Sequence, residues 1–178
     1  MKETFEEIFP LLIQSEGSVY EDDPVDPGGA TKYGITFDRL RLWRGYSITK
    51  DDVRNLTLGE AKEIYRSSHY WGFVRGDSLP AGLDYTVFDF GVNSGPSRAV
   101  RMLQNLIGAK PDADFGPASF KALEAYIETH SLVKTIQRYN TGRRNFLKGS
   151  KTFWKYGRGW LARVDRVETF SIRLANKN

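Results

Sequence analysis

A chain of 178 residues, 40% hydrophobic and 13% aromatic, holds enough apolar material for one domain with a real core or two small ones, and is not a disordered segment. It has no cysteine, which excludes a disulfide framework and thiolate chemistry. The net charge of +4 hides an asymmetry: residues 1–92 hold 10 Lys/Arg against 16 Asp/Glu, residues 93–178 hold 16 against 6, and nearly all the excess follows Lys134.

In chain order, Phe5, Ile8, Phe9, Leu12 and Ile13 form a helical stripe over residues 3–15, with Thr4 placed as N-cap. The start of the chain is acidic and amphipathic and lacks the apolar core of a secretion signal. No apolar run approaches the ~20 residues that span a bilayer. Residues 17–31 are punctuated by Asp23-Pro24, Asp26-Pro27 and Gly28-Gly29 and read as a loop. Residues 31–36 give at most a small hairpin strand. Helical spacing resumes from Phe37 to Arg44, and a helix starts at Thr49. The capping-box pattern Thr57-Leu58-Gly59-Glu60 opens another helix, predicted to run to about Trp71.

Gly72 to Gly82 reads as a connection. Helices are then predicted over 84–92, 97–107, 118–129, 131–146 and 159–174, with Gly149 to Gly157 joining the last two. The sum is about eight helices and almost no strand.

Glu16 ends the first helix, where the negative end of the helix macrodipole disfavours a carboxylate and so favours the protonated form a general acid needs. Taken alone, an arbitrary Glu at a helix end is ordinarily solvated. Asp26 before Pro-Gly-Gly is a turn starter, and Thr31 is a plain strand residue. Glu21, Asp22, Asp23 and Asp26 do not match the spacing of an EF-hand loop. His69 and His130 lack the context of a zinc site, so neither metal nor cofactor is expected. No GxSxG, P-loop or GxGxxG is present. Tyr65, Tyr70 and Trp71 are candidates for stacking on sugar rings or for core packing, the latter favoured for Tyr65. The aromatic and cationic run from Phe153 to Trp160 either binds nucleic acid or is pinned to the core, the latter being favoured.

Glu16-Gly17-Ser18 followed by Asp23-Pro24-Val25-Asp26-Pro27-Gly28-Gly29-Ala30-Thr31-Lys32-Tyr33-Gly34-Ile35-Thr36 resembles the active-site segment of the glycoside hydrolase family 108 lysozymes, which occur in phage endolysins and bacterial relatives. Ser18 replaces the second glycine of the family's Glu-Gly-Gly, and the stretch to Asp-Pro is one residue longer. Phe88-Asp89-Phe90-Gly91-Val92-Asn93-Ser94-Gly95, then Ala99, Leu103-Gln104 and Asp112 through Gly116-Pro117, resemble the helical peptidoglycan-binding module that accompanies that family. Ala113 stands where the module has glycine after its Asp. The run from Phe153 to Val164 resembles its closing helix.

The resemblance implies an all-α, lysozyme-like fold of two lobes, with a muramidase module over 1–92 and a wall-binding module over 93–178 packed as one compact domain. It implies an N-acetylmuramidase, with Glu16 as general acid and Asp26 and Thr31 orienting water or substrate. Gly28 and Gly29 would let the backbone turn close to the substrate, and Tyr33, Tyr70, Trp71 and Asn93 would contact it. The partner it implies is the peptidoglycan glycan strand, met by a monomer. The basic C-terminal region, with Arg143, Arg144, Lys148 and Lys151 on its face, would approach an anionic envelope, and nucleic acid is not expected. A phage endolysin would wait in the host cytoplasm until a holin-like or dedicated export partner released it. The alternatives are a non-catalytic wall binder of the same fold and a nucleic-acid binder acting through the basic region.

Overall fold

The computed structural model describes residues 2–22, 29–45 and 47–177. Among the described residues, helix α1 (Lys2–Glu16) is followed by a two-stranded hairpin, β1 (Thr31–Lys32) and β2 (Ile35–Thr36). Three short helices come next: α2 (Phe37–Arg44), α3 (Lys50–Arg54) and α4 (Leu58–Arg66). Five longer ones close the chain: α5 (Leu83–Ser94), α6 (Pro96–Leu106), α7 (Pro117–His130), α8 (Leu132–Lys148) and α9 (Phe153–Ala175). The architecture is all-α with one small hairpin, as the sequence predicts. No described helix is long and apolar enough to cross a membrane.

The chain divides into two compact units, one of residues 6–67 and one of residues 1–5 with 68–178. The boundary at 92/93 read from the sequence falls inside α5. In the smaller unit, Ile8, Phe9 and Leu12 of α1 are buried with Ile35, Leu40, Val53, Leu56, Ile64 and Tyr65. Its helices start on side-chain caps: Thr36 accepts from the Arg39 N–H and Thr57 from the Glu60 N–H. The reciprocal capping box sits at Thr49 and Asp52. At Thr57 only half of the predicted box forms, because the Glu60 carboxylate is taken by Arg44.

In the larger unit, Phe5, Trp71 and Phe88 pack edge-to-face with centroids 5.2–5.9 Å apart. Helix α5 is buried from Leu83 through Gly91. Two of its buried residues are carboxylates. Asp84 Oδ1 accepts from the N–H groups of Gly82 and Tyr85, and burial pushes its carboxyl up to about 7 against those hydrogen bonds. Asp89 is bonded by Arg143 and Arg163. Burial alone would raise its carboxyl, but the two guanidinium charges outweigh burial and hold it below the usual range. Buried Gln104 donates to Asp112 Oδ1, the Asp114 carbonyl and Ser119 Oγ, and accepts from the Ala113 N–H, which ties the loop before α7 to α6. Ala113 keeps the left-handed turn at φ +71°, a conformation costing about 1–2 kcal/mol for a residue with a Cβ.

Two boundaries differ from the sequence reading. Helix α4 stops at Arg66 rather than near Trp71, because Ser67 turns extended and its hydroxyl bonds back to the Ile64 carbonyl. Helix α9 begins at Phe153, so most of the predicted connection from Gly149 to Gly157 is helical. Gly157 reads as a breaker but is a packing site: a Cβ there would lie 2.6 Å from the Phe153 ring, one turn earlier.

Candidate active site

The smaller unit brings Glu16 and Thr31 to its hairpin. Thr31 pairs with Thr36 and Lys32 with Ile35, leaving Tyr33-Gly34 as a two-residue turn. Both turn residues have positive φ, +54° and +75°, the signature of the type I′ turn that matches strand twist. A third segment joins the hairpin: the Glu21 N–H donates to the Thr31 carbonyl at 2.9 Å, and the Thr31 N–H to the Glu21 carbonyl at 2.8 Å. Glu21, in the loop after α1, is thereby fastened to β1.

Glu16 is half-buried at the end of α1, where Gly17 donates its N–H to the Ile13 carbonyl at 2.9 Å. Its carboxylate lies against the turn. A Cβ added at Gly34 would stand 2.7 Å from Glu16 Oε2 and 2.6 Å from Tyr65 Oη. Tyr65, on α4, donates its hydroxyl to the Tyr33 carbonyl at 2.9 Å. One glycine thus lets the backbone of the turn, a carboxylate from α1 and a phenol from α4 share one small volume. Gly34→Ala is expected to cost about 2 kcal/mol or more, from the left-handed backbone and from displacing Glu16 or Tyr65. A urea denaturation midpoint unchanged from wild type would contradict this crowding.

Thr31 Oγ1 donates to the Ile35 carbonyl at 3.3 Å, so its hydroxyl sits on the residue that follows Gly34. Its donor is thereby occupied and its lone pairs remain to accept. Glu16 and Thr31 therefore meet the same hairpin. Tyr33 is half-buried in the turn, with Lys32 Nζ 5.2 Å from its ring centroid. Gly29 is half-buried two residues before β1. Asp26 and Gly28 lie outside the described residues. Asp22 is engaged elsewhere, since Lys50 Nζ bonds both its oxygens at 3.0 Å and Tyr20 donates to it at 3.3 Å.

The remaining expected contacts belong to the larger unit. Trp71 is only 1% exposed, packed on Phe5 and Phe88 and bonded through Nε1 to Asp77, so it offers no face to a sugar ring. Tyr70 is buried as well. Of the two readings the sequence allows for this pair, core packing is the one realised. Their neighbours Ser68, Gly72, Phe73 and Arg75 line a pocket of about 350 Å³ with Ala113, Asp114 and Phe115. Asn93 is exposed near the end of α5. Arg143, expected on a cationic face, is instead 0% exposed in the ion pair with Asp89. Arg144 is paired with Asp165 and Glu168, so Lys148 and Lys151 are left as the exposed part of that expectation.

Tyr65 is the site residue that sequence reasoning assigned to the core. The ring is indeed in the core, 6.3 Å from Phe9, but a buried phenol needs a partner for its hydroxyl, and the turn carbonyl supplies it.

With this geometry in view, comparison with known proteins is informative. The model of the family described as Glycosyl hydrolase 108 matches residues 9–95, which include Glu16, the hairpin and Tyr65. The solved structure of Brucella abortus SagA is similar over nearly the whole chain, at 39% identity, covering 98% of this chain and 97% of that one with a TM-score of 0.88. No protein of curated function matches.

Proposed function

The chain belongs to glycoside hydrolase family 108, and from that premise we propose that it is an N-acetylmuramidase in which Glu16 is the general acid. Membership makes it a lysozyme-like glycoside hydrolase with peptidoglycan as substrate. The finer assignment is the β-1,4 bond between N-acetylmuramic acid and N-acetylglucosamine. The observation that carries it is the half-buried Glu16 carboxyl held against the Tyr33-Gly34 turn beside Tyr65.

Glycoside hydrolysis needs a carboxylic acid that protonates the leaving oxygen, and a second group that places water or stabilises the cationic transition state. Glu16 is the rigidly placed carboxyl, because helix α1 fixes its backbone and the turn limits its rotamers. Thr31 can accept a hydrogen bond from a water, which orients that water's oxygen toward the sugar. Asp26 is assigned the accompanying carboxylate role, supported by the commitment of Asp22 to Lys50. The family setting in phage endolysins supports action in host lysis, and a similar protein in Brucella supports action on a bacterium's own wall; either role would use the same substrate and the same residues.

Mass spectrometry of purified peptidoglycan digested by the protein tests the reaction and the bond together. New reducing ends on N-acetylmuramic acid are expected. Reducing ends on N-acetylglucosamine would overturn the bond assignment. Co-sedimentation with the wall without release of any fragment would favour the non-catalytic wall binder.

A further inference from the structure

We propose that the closed end of the α8–α9 hairpin is a docking surface for an anionic lipid bilayer. Arg143 of α8 and Arg163 of α9 both bond Asp89, so the hairpin is centred near residue 153, halfway between them. Residues 149–157 therefore form its tip. A run of backbone hydrogen bonds, from Ser150 N–H to the Leu147 carbonyl through Tyr156 N–H to the Thr152 carbonyl, makes this tip ordered structure.

Trp154 at the tip is 85% exposed, more than any other large hydrophobic side chain among the described residues. At 100° per residue, Trp154, Lys155 and Arg158 fall on one face of α9 within about 100° of each other. Gly157 and Val164, about 60–80° to the other side of Trp154, are buried. Tyr156 is exposed beside them, with Lys155 Nζ 4.9 Å from its ring centroid. Lys148 and Lys151 are exposed in the turns leading in. No acidic residue occurs between Glu128 and Asp165, a stretch holding nine Lys/Arg. No ion pair engages Lys148, Lys151, Lys155 or Arg158 among the described residues.

An exposed indole ringed by unpaired cations has the chemistry of the bilayer interface. Trp favours the headgroup level, long basic side chains reach phosphates from there, and each basic residue near an anionic surface adds about the same increment. A projecting hairpin end meets a flat bilayer. Single-stranded nucleic acid instead calls for a groove that tracks its backbone, with aromatics along the groove.

The test is co-sedimentation of the full chain with phosphatidylcholine vesicles, with and without phosphatidylglycerol, at low ionic strength. Binding is expected only to the anionic vesicles, with a blue shift of tryptophan emission. Trp154→Ala should abolish the shift and weaken binding about tenfold or more. The triple variant Lys151→Glu, Lys155→Glu, Arg158→Glu should weaken it on the order of 100-fold. Both should digest purified peptidoglycan at the wild-type rate, which separates this surface from the catalytic reading. Failure of the wild type to bind anionic vesicles, or unchanged binding by both variants, would overturn the proposal. Trp154-dependent binding of single-stranded DNA without vesicle binding would overturn it in favour of a nucleic-acid surface.

Discussion

Glu16→Gln is expected to slow reducing-end release from purified peptidoglycan by on the order of 10²–10⁴-fold, the range in which positioned acid–base groups contribute. The substitution keeps the length of the side chain and its packing against Gly34 and Tyr65. It removes only the proton that the leaving oxygen would take. Co-sedimentation with the wall should therefore persist, and the urea midpoint should stay close to wild type. Glu6→Gln is the matched control: Glu6 lies on the same helix, exposed and paired with Lys62, and its loss should leave the rate unchanged. A near-normal rate for Glu16→Gln would remove Glu16 from the acid role, whatever the bond cleaved.

Glu16 shows how far sequence alone reaches. Its helix was legible because Phe5, Ile8, Phe9 and Leu12 recur at helical spacing, and all four are buried. The short hairpin was legible from Thr31 to Thr36. The convergence of Glu16 with Tyr65 was not, because α1 and α4 are far apart in the chain and no local pattern specifies that they meet at one glycine. Tyr65 looked like core because its ring is core, and only the fate of its hydroxyl reveals the second role.

Glycine misled in the other direction. Gly157 read as the end of the connection before the last helix, since glycine is a poor helix former. The Phe153 ring, one turn earlier on the same helix, occupies the space a Cβ at position 157 would need, so a contact within the helix favours glycine there. Arg143 misled through charge. Counted with Lys148 and Lys151 it belongs to a cationic surface, yet it faces inward, because Asp89 on the buried part of α5 requires a partner there. Charge counts place a residue in a region of sequence, and burial of the opposite charge decides which face it takes.

That pairing carries the second large effect. Asp89→Leu is expected to destabilise the protein by about 3–5 kcal/mol, because it strands a guanidinium that is fully buried. Arg143 donates through Nη2 to Asp89 Oδ2, while its Nε and Nη1 are buried with no hydrogen-bond partner among the described residues. Arg163 also loses its bonds to Asp89, but it is part-exposed and can turn toward water. Asp89→Leu combined with Arg143→Met should therefore be more stable than Asp89→Leu alone, since neither buried charge remains. The pH profile gives an independent check. The folded Asp89 carboxyl is held low, so its contribution is present above the unfolded value near 3.9 and is lost as pH falls through the folded value. Asp84, one turn and a half away on the same helix, runs the other way. Its folded value of about 7 means that its contribution is full below about 3.9 and is lost as pH rises toward 7. These two carboxylates alone put maximum stability near the unfolded carboxyl value of about 3.9. In Asp89→Leu the acid limb should flatten, and the decline between about pH 4 and 7 should persist, since Asp84 is untouched. Urea midpoints measured across pH read both limbs, and an acid limb as steep as wild type would show that Asp89 does not set it.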